Sequence, residues 1–271
     1  MPNSLPTLCG SIMGSPFSLS AKIHNAAYAA LGLDYTFVCF GVEDPESAVK
    51  AIRTLGIRGM NVSMPYKSVV MAWLDVIDES AQTLGAVNTI NNVDGVLTGY
   101  NTDYLGAVRA LQEVTRLPGQ RVAVIGAGGA ARAVVFGCHQ AGAQVTLFNR
   151  SRTRGQALAD DLRVRFAGAI SDFDPLAFDI VVNATSVGFK QPDVNPLDGL
   201  LARHLIVMDV AFMPVQTALL RQAQSLGCTT VAGTRMLVLQ ACRQIELYTG
   251  HDAPIDEMER AMLEEIQRLN L

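Results

Sequence analysis

The sequence predicts an α/β protein of two domains, and three observations carry that prediction. The chain has 271 residues, long for one core and short for three at roughly 150 residues per domain. In both halves short apolar runs of β-like composition alternate with helical stretches, the pattern of a mostly parallel sheet with crossover helices. Leu117-Pro118-Gly119-Gln120 is a turn signal that divides the two halves.

In the first half, Leu8–Met13 reads as a strand, Ser20–Leu31 as a helix and Tyr35–Phe40 as a strand. Pro45–Leu55 follows as a helix that opens on proline, then strand Gly59–Met64 and a helical turn or more over Lys67–Leu74. Val87–Asn91 and Val96–Tyr100 read as paired strands around Asn92-Val93-Asp94-Gly95, where Asp-Gly supplies positive φ. Asp103–Val114 is a helix with its acid at the N-terminus. In the second half come strand Arg121–Ile125, helix Ala130–Ala141, strand Gln144–Phe148 and helix Arg152–Leu162. Asp179–Asn183, Leu205–Asp209 and Thr229–Ala232 are buried-strand candidates, and Met236–Tyr248 and Ile255–Leu269 are helical. No internal repeat or low-complexity segment interrupts this order.

Composition excludes several function classes. Apolar residues at 49% and charged residues at 17%, with 23 Gly and 11 Pro, exclude extended disorder and fibrous repeats. Mean hydropathy is +0.25, but no stretch approaches the roughly 18 uninterrupted apolar residues of a membrane span. Net charge is −4 and Lys and Arg form no dense tract, which weighs against nucleic acid or an anionic membrane as partner. Met1–Gly10 has no basic patch followed by an apolar stretch, so a cytoplasmic location is expected. Cys9, Cys39, Cys138, Cys228 and Cys242 are odd in number, widely spaced and without a CxxC. They are expected to be reduced and packed as small hydrophobes, with no metal site.

Val122-Ala123-Val124-Ile125-Gly126-Ala127-Gly128-Gly129-Ala130-Ala131 is a strand, a glycine turn and a helix start in one line. Gly126 permits the sharp turn, Gly128 removes a Cβ that would block a pyrophosphate, and Ala131 lets helix and strand approach. The helix N-terminus then offers N–H groups and partial positive charge to phosphate. This points to a Rossmann-type dinucleotide site holding Gly126, Ala127, Gly128, Gly129 and Ala130. After the second strand stands Asn149-Arg150-Ser151-Arg152-Thr153-Arg154. An acid there would select NAD through the ribose 2′-OH, whereas an amide and three guanidiniums attract a 2′-phosphate. The alternative is a solvated basic helix start, but basic residues are unfavourable at that end of a helix. NADP is the expected cofactor, with NAD the alternative.

Hydride transfer needs a proton donor or acceptor beside the reacting carbon. His24, His139, His204 and His251 carry no motif and read as structural or solvated. Gly59-Met60-Asn61-Val62-Ser63-Met64-Pro65-Tyr66-Lys67 instead joins a strand end, a proline turn and a lysine. Asn88-Thr89 and Asn101-Thr102-Asp103 add polar side chains at further strand ends, where open α/β sheets line their ligand crevice. A lysine–aspartate pair there could shuttle a proton. Each residue taken singly reads more readily as a surface loop residue than as a site residue.

These residues resemble the shikimate dehydrogenase family, in order and across nearly the whole chain. The matching stretches are Ser18-Leu19-Ser20 with Ile23-His24-Asn25, Asn61–Lys67, Gly85-Ala86-Val87-Asn88-Thr89 and Asn101-Thr102-Asp103. In the second half they are Gly126–Ala131, Asn149-Arg150-Ser151, Asn183-Ala184-Thr185-Ser186-Val187-Gly188 and Met236-Leu237-Val238-Leu239-Gln240. The resemblance implies reversible NADP-linked interconversion of shikimate and 3-dehydroshikimate in aromatic amino-acid biosynthesis. By it Lys67 is the acid/base on the C3 oxygen, and Asp103 hydrogen-bonds the same hydroxyl and orients Lys67. Ser18 and Ser20 would hold the substrate carboxylate, and Ser63, Asn88 and Gln240 the ring hydroxyls. Asn149, Arg150, Ser151, Arg154, Thr185, Ser186, Val210 and Gly233 would lie along the cofactor. The implied organisation is a substrate domain over 1–106, an NADP domain over 107–236 and C-terminal helices over 237–271 packing back on the first domain. The active site would lie in the cleft between the domains.

Three departures leave the substrate open. Gly14-Ser15-Pro16-Phe17 runs straight into Ser18, where the family carries extra residues including a histidine. Phe212 stands in place of a substrate-binding tyrosine, and a lost hydroxyl could cost about 1–3 kcal/mol of binding. Tyr100 replaces an aspartate, and Ser63 replaces a threonine as a mild change. These fit a divergent member that turns over shikimate poorly or prefers quinate or another cyclic hydroxy acid, with NAD or NADP. A non-catalytic NADP- or ligand-binding sensor is the alternative of a different class. The expected partner is a small polyhydroxylated cyclic acid, in a monomer or a homodimer.

Overall fold

A computed structural model describes residues 5–15 and 17–269. Residues 1–4 of the N-terminal stretch, Pro16 of the short loop and the last two residues lie outside that description. The elements run β1 (Thr7–Met13), α1 (Leu19–Ala30), β2 (Tyr35–Gly41), α2 (Pro45–Thr54), β3 (Gly59–Val62), β4 (Val76–Ile77), α3 (Glu79–Leu84), β5 (Thr89–Val93) and β6 (Val96–Tyr100). They continue with α4 (Asp103–Gln112), β7 (Arg121–Ile125), α5 (Gly129–Gln140), β8 (Gln144–Phe148), α6 (Arg152–Leu162), β9 (Arg165–Gly168) and β10 (Ile180–Asn183). Last come β11 (Ile206–Asp209), α7 (Ala218–Ser225), β12 (Thr229–Ala232), α8 (Gly233–Thr249) and α9 (Ile255–Arg268). The chain forms two compact units, one up to Thr102 and again from Gln240 on, the other Asp103–Leu239.

The first unit holds a sheet in the order β2-β1-β3-β5-β6-β4. β1 pairs in parallel with β2 and β3, whereas β3-β5 and β5-β6 are antiparallel. The reversal follows from the Asp94-Gly95 turn, whose φ values of 51° and 84° suit a two-residue hairpin. Ile12, Val49, Ile52, Met60, Val62, Ile90 and Leu97 fill the core beneath it. α9 packs on α1, and α8 meets the sheet at Gly59. A Cβ on Gly59 would stand 2.3 Å from the Tyr248 ring, so glycine is what allows this approach.

The second unit holds an all-parallel sheet in the order β12-β11-β10-β7-β8-β9. This is the doubly wound order, with its reversal between β7 and β10, where such sheets open a crevice at the strand carboxyl ends. Ile125, Phe148, Val181, Val207 and Leu219 belong to its core, with Phe148, Phe173 and Phe178 mutually packed.

The differences from expectation lie in short elements. The helical turn expected over Lys67–Leu74 is a 3-10 turn confined to Val69–Trp73. β4, α3, β9 and α7 were not anticipated, being too short to show a period. β5 begins two residues late, because Val87 donates its N–H to the Lys67 carbonyl at 2.7 Å. Among the described residues no helix is long and apolar enough to cross a membrane. Among the described residues no disulfide joins the five cysteines, and four of them are buried. Burial pushes the Cys9 and Cys138 thiols up to about 11 and about 12, away from reactivity.

Candidate active site

A crevice is built where β7 ends. Gly126 has φ of +117°, and a Cβ there would stand 2.9 Å from the Ala184 carbonyl oxygen. At Gly128 and Gly129 a Cβ would meet nothing within 4 Å, so both face open space. Gly128 caps α5, leaving the first N–H groups of a 12-residue helix without a capping side chain. A cavity of about 560 Å³ joins this turn to Asn149, Arg150, Ser151, Arg154, Thr185 and Ser186. A second cavity, of about 810 Å³, opens beside it over Gly128, Arg132 and Arg154. Ser151 caps α6, and Arg150, Arg152 and Arg154 are exposed. Among the described residues none of these three guanidiniums forms an ion pair. A glycine cradle, a helix N-terminus and an unneutralised cationic rim fit a pyrophosphate with a further phosphate beyond it.

Buried polar groups fix the opposite wall. Asn183 donates to the Asp209 carboxylate at 2.8 Å and to the Val187 carbonyl at 3.1 Å. It accepts from the Thr185 hydroxyl and N–H. Thr217 and the Ala211 N–H also donate to Asp209, whose carboxyl burial pushes upward. Asp209 thus shapes the turn into Val210. A Cβ on Gly233 would stand 2.5 Å from the Val210 oxygen, so glycine seats the start of α8 against that turn. The Phe212 ring packs on Phe189, with centroids 5.3 Å apart.

In the first unit the expected substrate residues fall into two groups. Asn88, 3% exposed, donates to Thr102 at 2.9 Å and to Gln240 at 3.4 Å, and accepts from the Thr102 N–H and the Thr89 hydroxyl at 2.8 Å. Thr102 donates to the Gln240 amide oxygen at 3.1 Å. Residues 152 positions apart are therefore preassembled, one just before β5 and the other on α8. Lys67 is half-buried in the turn after β3 and joined to this cluster by the Val87–Lys67 backbone bond. Ser63 precedes that turn, its N–H on the Ile12 carbonyl. Asp103 is the first residue of α4, where a carboxylate suits the helix dipole, and it belongs to the second unit.

The other group is on α1. Ser20 is half-buried, and its carbonyl accepts from His24 Nδ1 at 2.8 Å. Ser18 stands at the N-cap of α1, yet its hydroxyl caps nothing there and donates to the Glu265 carboxylate of α9.

Behind both groups runs a buried chain that sequence inspection did not assign. Asn61 donates to Gln244 at 2.8 Å and faces His24 Nε2 at 3.4 Å, while Tyr248 donates to Asn61 at 2.6 Å. Gln244 donates to Thr89 at 2.9 Å, and Thr89 donates to Asn88. The donors require His24 to carry its proton on Nδ1, and burial holds the imidazole down at about 4. The readable signal was Gln240 and Gln244 four apart on one apolar helix. Among the described residues no group of His, Cys, Asp or Glu is placed to hold a metal.

Comparison with known proteins covers both units. The chain matches family models for the shikimate dehydrogenase substrate binding domain over residues 12–90, shikimate / quinate 5-dehydrogenase over 109–212, and the shikimate 5′-dehydrogenase C-terminal domain over 233–263. It is 39% identical to the NADP(+) shikimate dehydrogenase of Methanothermobacter thermautotrophicus, covering 95% of this chain and 96% of that protein. A shikimate dehydrogenase crystallised with NADP+ superposes with a TM-score of 0.91 at 36% identity, over 98% of each chain. The ligand-free 5-ketofructose reductase of Gluconobacter sp. strain CHM43 also superposes at 0.91, with 33% identity over 96% of this chain and 99% of that one.

Proposed function

The chain belongs to the shikimate dehydrogenase family, and from that premise we propose that it interconverts a secondary alcohol and a ketone on a small polyhydroxylated substrate, with NADP as cofactor and shikimate and 3-dehydroshikimate as the first couple to try. Gly126–Ala130 and the N-terminus of α5 would hold the pyrophosphate, and Asn149, Arg150, Ser151 and Arg154 the 2′-phosphate. When bound, NADP accepts or supplies the hydride. As the alcohol is oxidised, the hydride leaves its carbon and Lys67, as the amine, takes the hydroxyl proton; reduction returns both. Asp103 accepts a hydrogen bond from the same hydroxyl or from Lys67 and orients the pair. Asn88 and Gln240 fix the ring hydroxyls.

The observation that carries this reading is the buried Asn88–Thr102–Gln240 cluster tied by one backbone bond to Lys67. Such a cluster costs free energy to bury unless its hydrogen bonds are made, and it recognises a polyol by short donors and acceptors. A ketose such as 5-ketofructose is a second reading, favoured by the commitment of the Ser18 hydroxyl to Glu265. The test is initial-rate oxidation of shikimate and quinate with NADP+ and NAD+, followed at the nicotinamide absorbance. Lys67→Met should lower kcat by about 10²–10⁴-fold and leave NADP+ affinity unchanged. Unchanged kcat would remove Lys67 from the chemistry, and a protein that binds NADP+ but turns over nothing would be the sensor instead.

A further inference from the structure

Thr89 stands where two hydrogen-bond sequences meet, and the far end of each is a backbone group whose role cannot reverse. One begins on α1, where the Ser20 carbonyl can only accept and takes the proton of His24 Nδ1 at 2.8 Å. Burial holds this imidazole down at about 4, so at neutral pH the ring carries one proton and Nε2 is an acceptor. The Asn61 amide must then turn its nitrogen to Nε2, at 3.4 Å, and it also donates to Gln244 Oε1 at 2.8 Å. On its other side the Asn61 oxygen accepts from the Tyr248 hydroxyl at 2.6 Å. Gln244, with its oxygen engaged, donates from its nitrogen to Thr89 Oγ1 at 2.9 Å.

The other sequence begins at the Thr102 N–H, which can only donate and reaches Asn88 Oδ1 at 2.8 Å. That turns the Asn88 nitrogen to Thr102 Oγ1 at 2.9 Å and to Gln240 Oε1 at 3.4 Å. The Thr102 hydroxyl gives its proton to the same Gln240 oxygen at 3.1 Å. A hydroxyl has one proton to give. Thr89 accepts from Gln244, so its proton goes to Asn88 Oδ1 at 2.8 Å, and the two sequences agree at that bond. His24, Thr89, Asn88, Thr102 and Gln244 are each at most 3% exposed, so a lost partner leaves a polar atom buried and unmatched. The Asn88 and Gln240 oxygens each take two donors, which fills both lone pairs, and Gln240 can add only N–H to a ligand.

Building on the dehydrogenase reading, we propose that Thr89 is a positioning residue for the substrate: its proton, aimed by Gln244, Asn61 and His24, locks the Asn88 and Gln240 amides in one orientation, so that Gln240 takes a ligand oxygen by its lone pairs. Bonds chained head to tail polarise one another, so each link opposes reversal of the next.

The test uses the full chain with three probes, shikimate and quinate with NADP+ and 5-ketofructose with NADPH, and carries the fastest of them through the variants. Thr89→Val keeps the branched shape and removes the proton. It should raise substrate KM about tenfold and leave cofactor KM within about twofold, and Thr89→Ser should restore the wild-type value. Gln244→Met should raise substrate KM about threefold by itself and add nothing in the Thr89→Val background, because it acts through the Thr89 hydroxyl. Nitrogen-15 histidine spectra should show His24 protonated on Nδ1 at neutral pH. Should Thr89→Val fail to fold, Gln244→Met and the His24 tautomer decide. A proton on Nε2, an unchanged substrate KM, equal rises in both KM values or additive effects of the two substitutions each overturn the relay and leave the dehydrogenase reading standing. Turnover of none of the three probes by the wild type removes both.

Discussion

At the scale of single residues, what matters is which groups already have partners. Arg150 and Arg154 line the crevice cavity and form no ion pair among the described residues. A charge-assisted bond to phosphate contributes roughly 1.5–3 kcal/mol. Arg154→Ala should therefore raise the NADP+ KM about tenfold or more while changing that for NAD+ little, by about 1.4 kcal/mol per tenfold. Equal losses for both cofactors would count against a 2′-phosphate contact. His24 gives a pH prediction. Its folded pKa of about 4 lies below the ordinary 6.5, so between these values the unfolded chain binds the extra proton. The stability from keeping it neutral is complete above pH 6.5 and lost as pH falls towards 4, about 3 kcal/mol in all. His24→Gln should flatten the fall in Tm over that window; an unchanged slope would locate the acid sensitivity elsewhere.

At the scale of elements, close approaches decide which helix carries which side chain. α8 supplies both Gln240 and Gln244, and it reaches the sheet because Gly59 presents no Cβ to Tyr248. Gly59→Ala should cost about 1–3 kcal/mol through overpacking and should raise KM for the substrate more than for NADP+. Chemical denaturation with paired kinetics reads both; a neutral effect on each would show that the ring can move aside. Asn183 plays the matching part at the end of β10, holding Thr185 on one side and Asp209 on the other.

At the scale of the whole molecule, the residues proposed to hold the cofactor lie in the second unit and the Asn88 cluster in the first. Ligand that binds only the native state stabilises it by mass action, about 2.7 kcal/mol at a concentration of 100 Kd. NADP+ should slow amide exchange chiefly in residues 126–132 and 149–154, the turn into α5 and the start of α6. Hydrogen-exchange mass spectrometry checks this, and protection confined to the first unit would refute the assignment of the crevice.

Sequence alone determined the strand–glycine–helix turn, the basic start of α6, the Asp-Gly hairpin and the family motifs. All of these are local, since φ restriction, helix dipoles and two-residue turns are written in neighbouring residues. Boundaries of the short elements, such as the 3-10 turn after Lys67, were not legible because fewer than two turns show no period. The tertiary structure alone decided which partners those motif residues meet. Ser18 donates to Glu265 from the far end of the chain, and Asn88 meets Gln240 across 152 positions. Such pairings depend on which helix packs on which face of a sheet. A hydroxyl with one proton cannot reveal its partner until that packing brings the partner within reach.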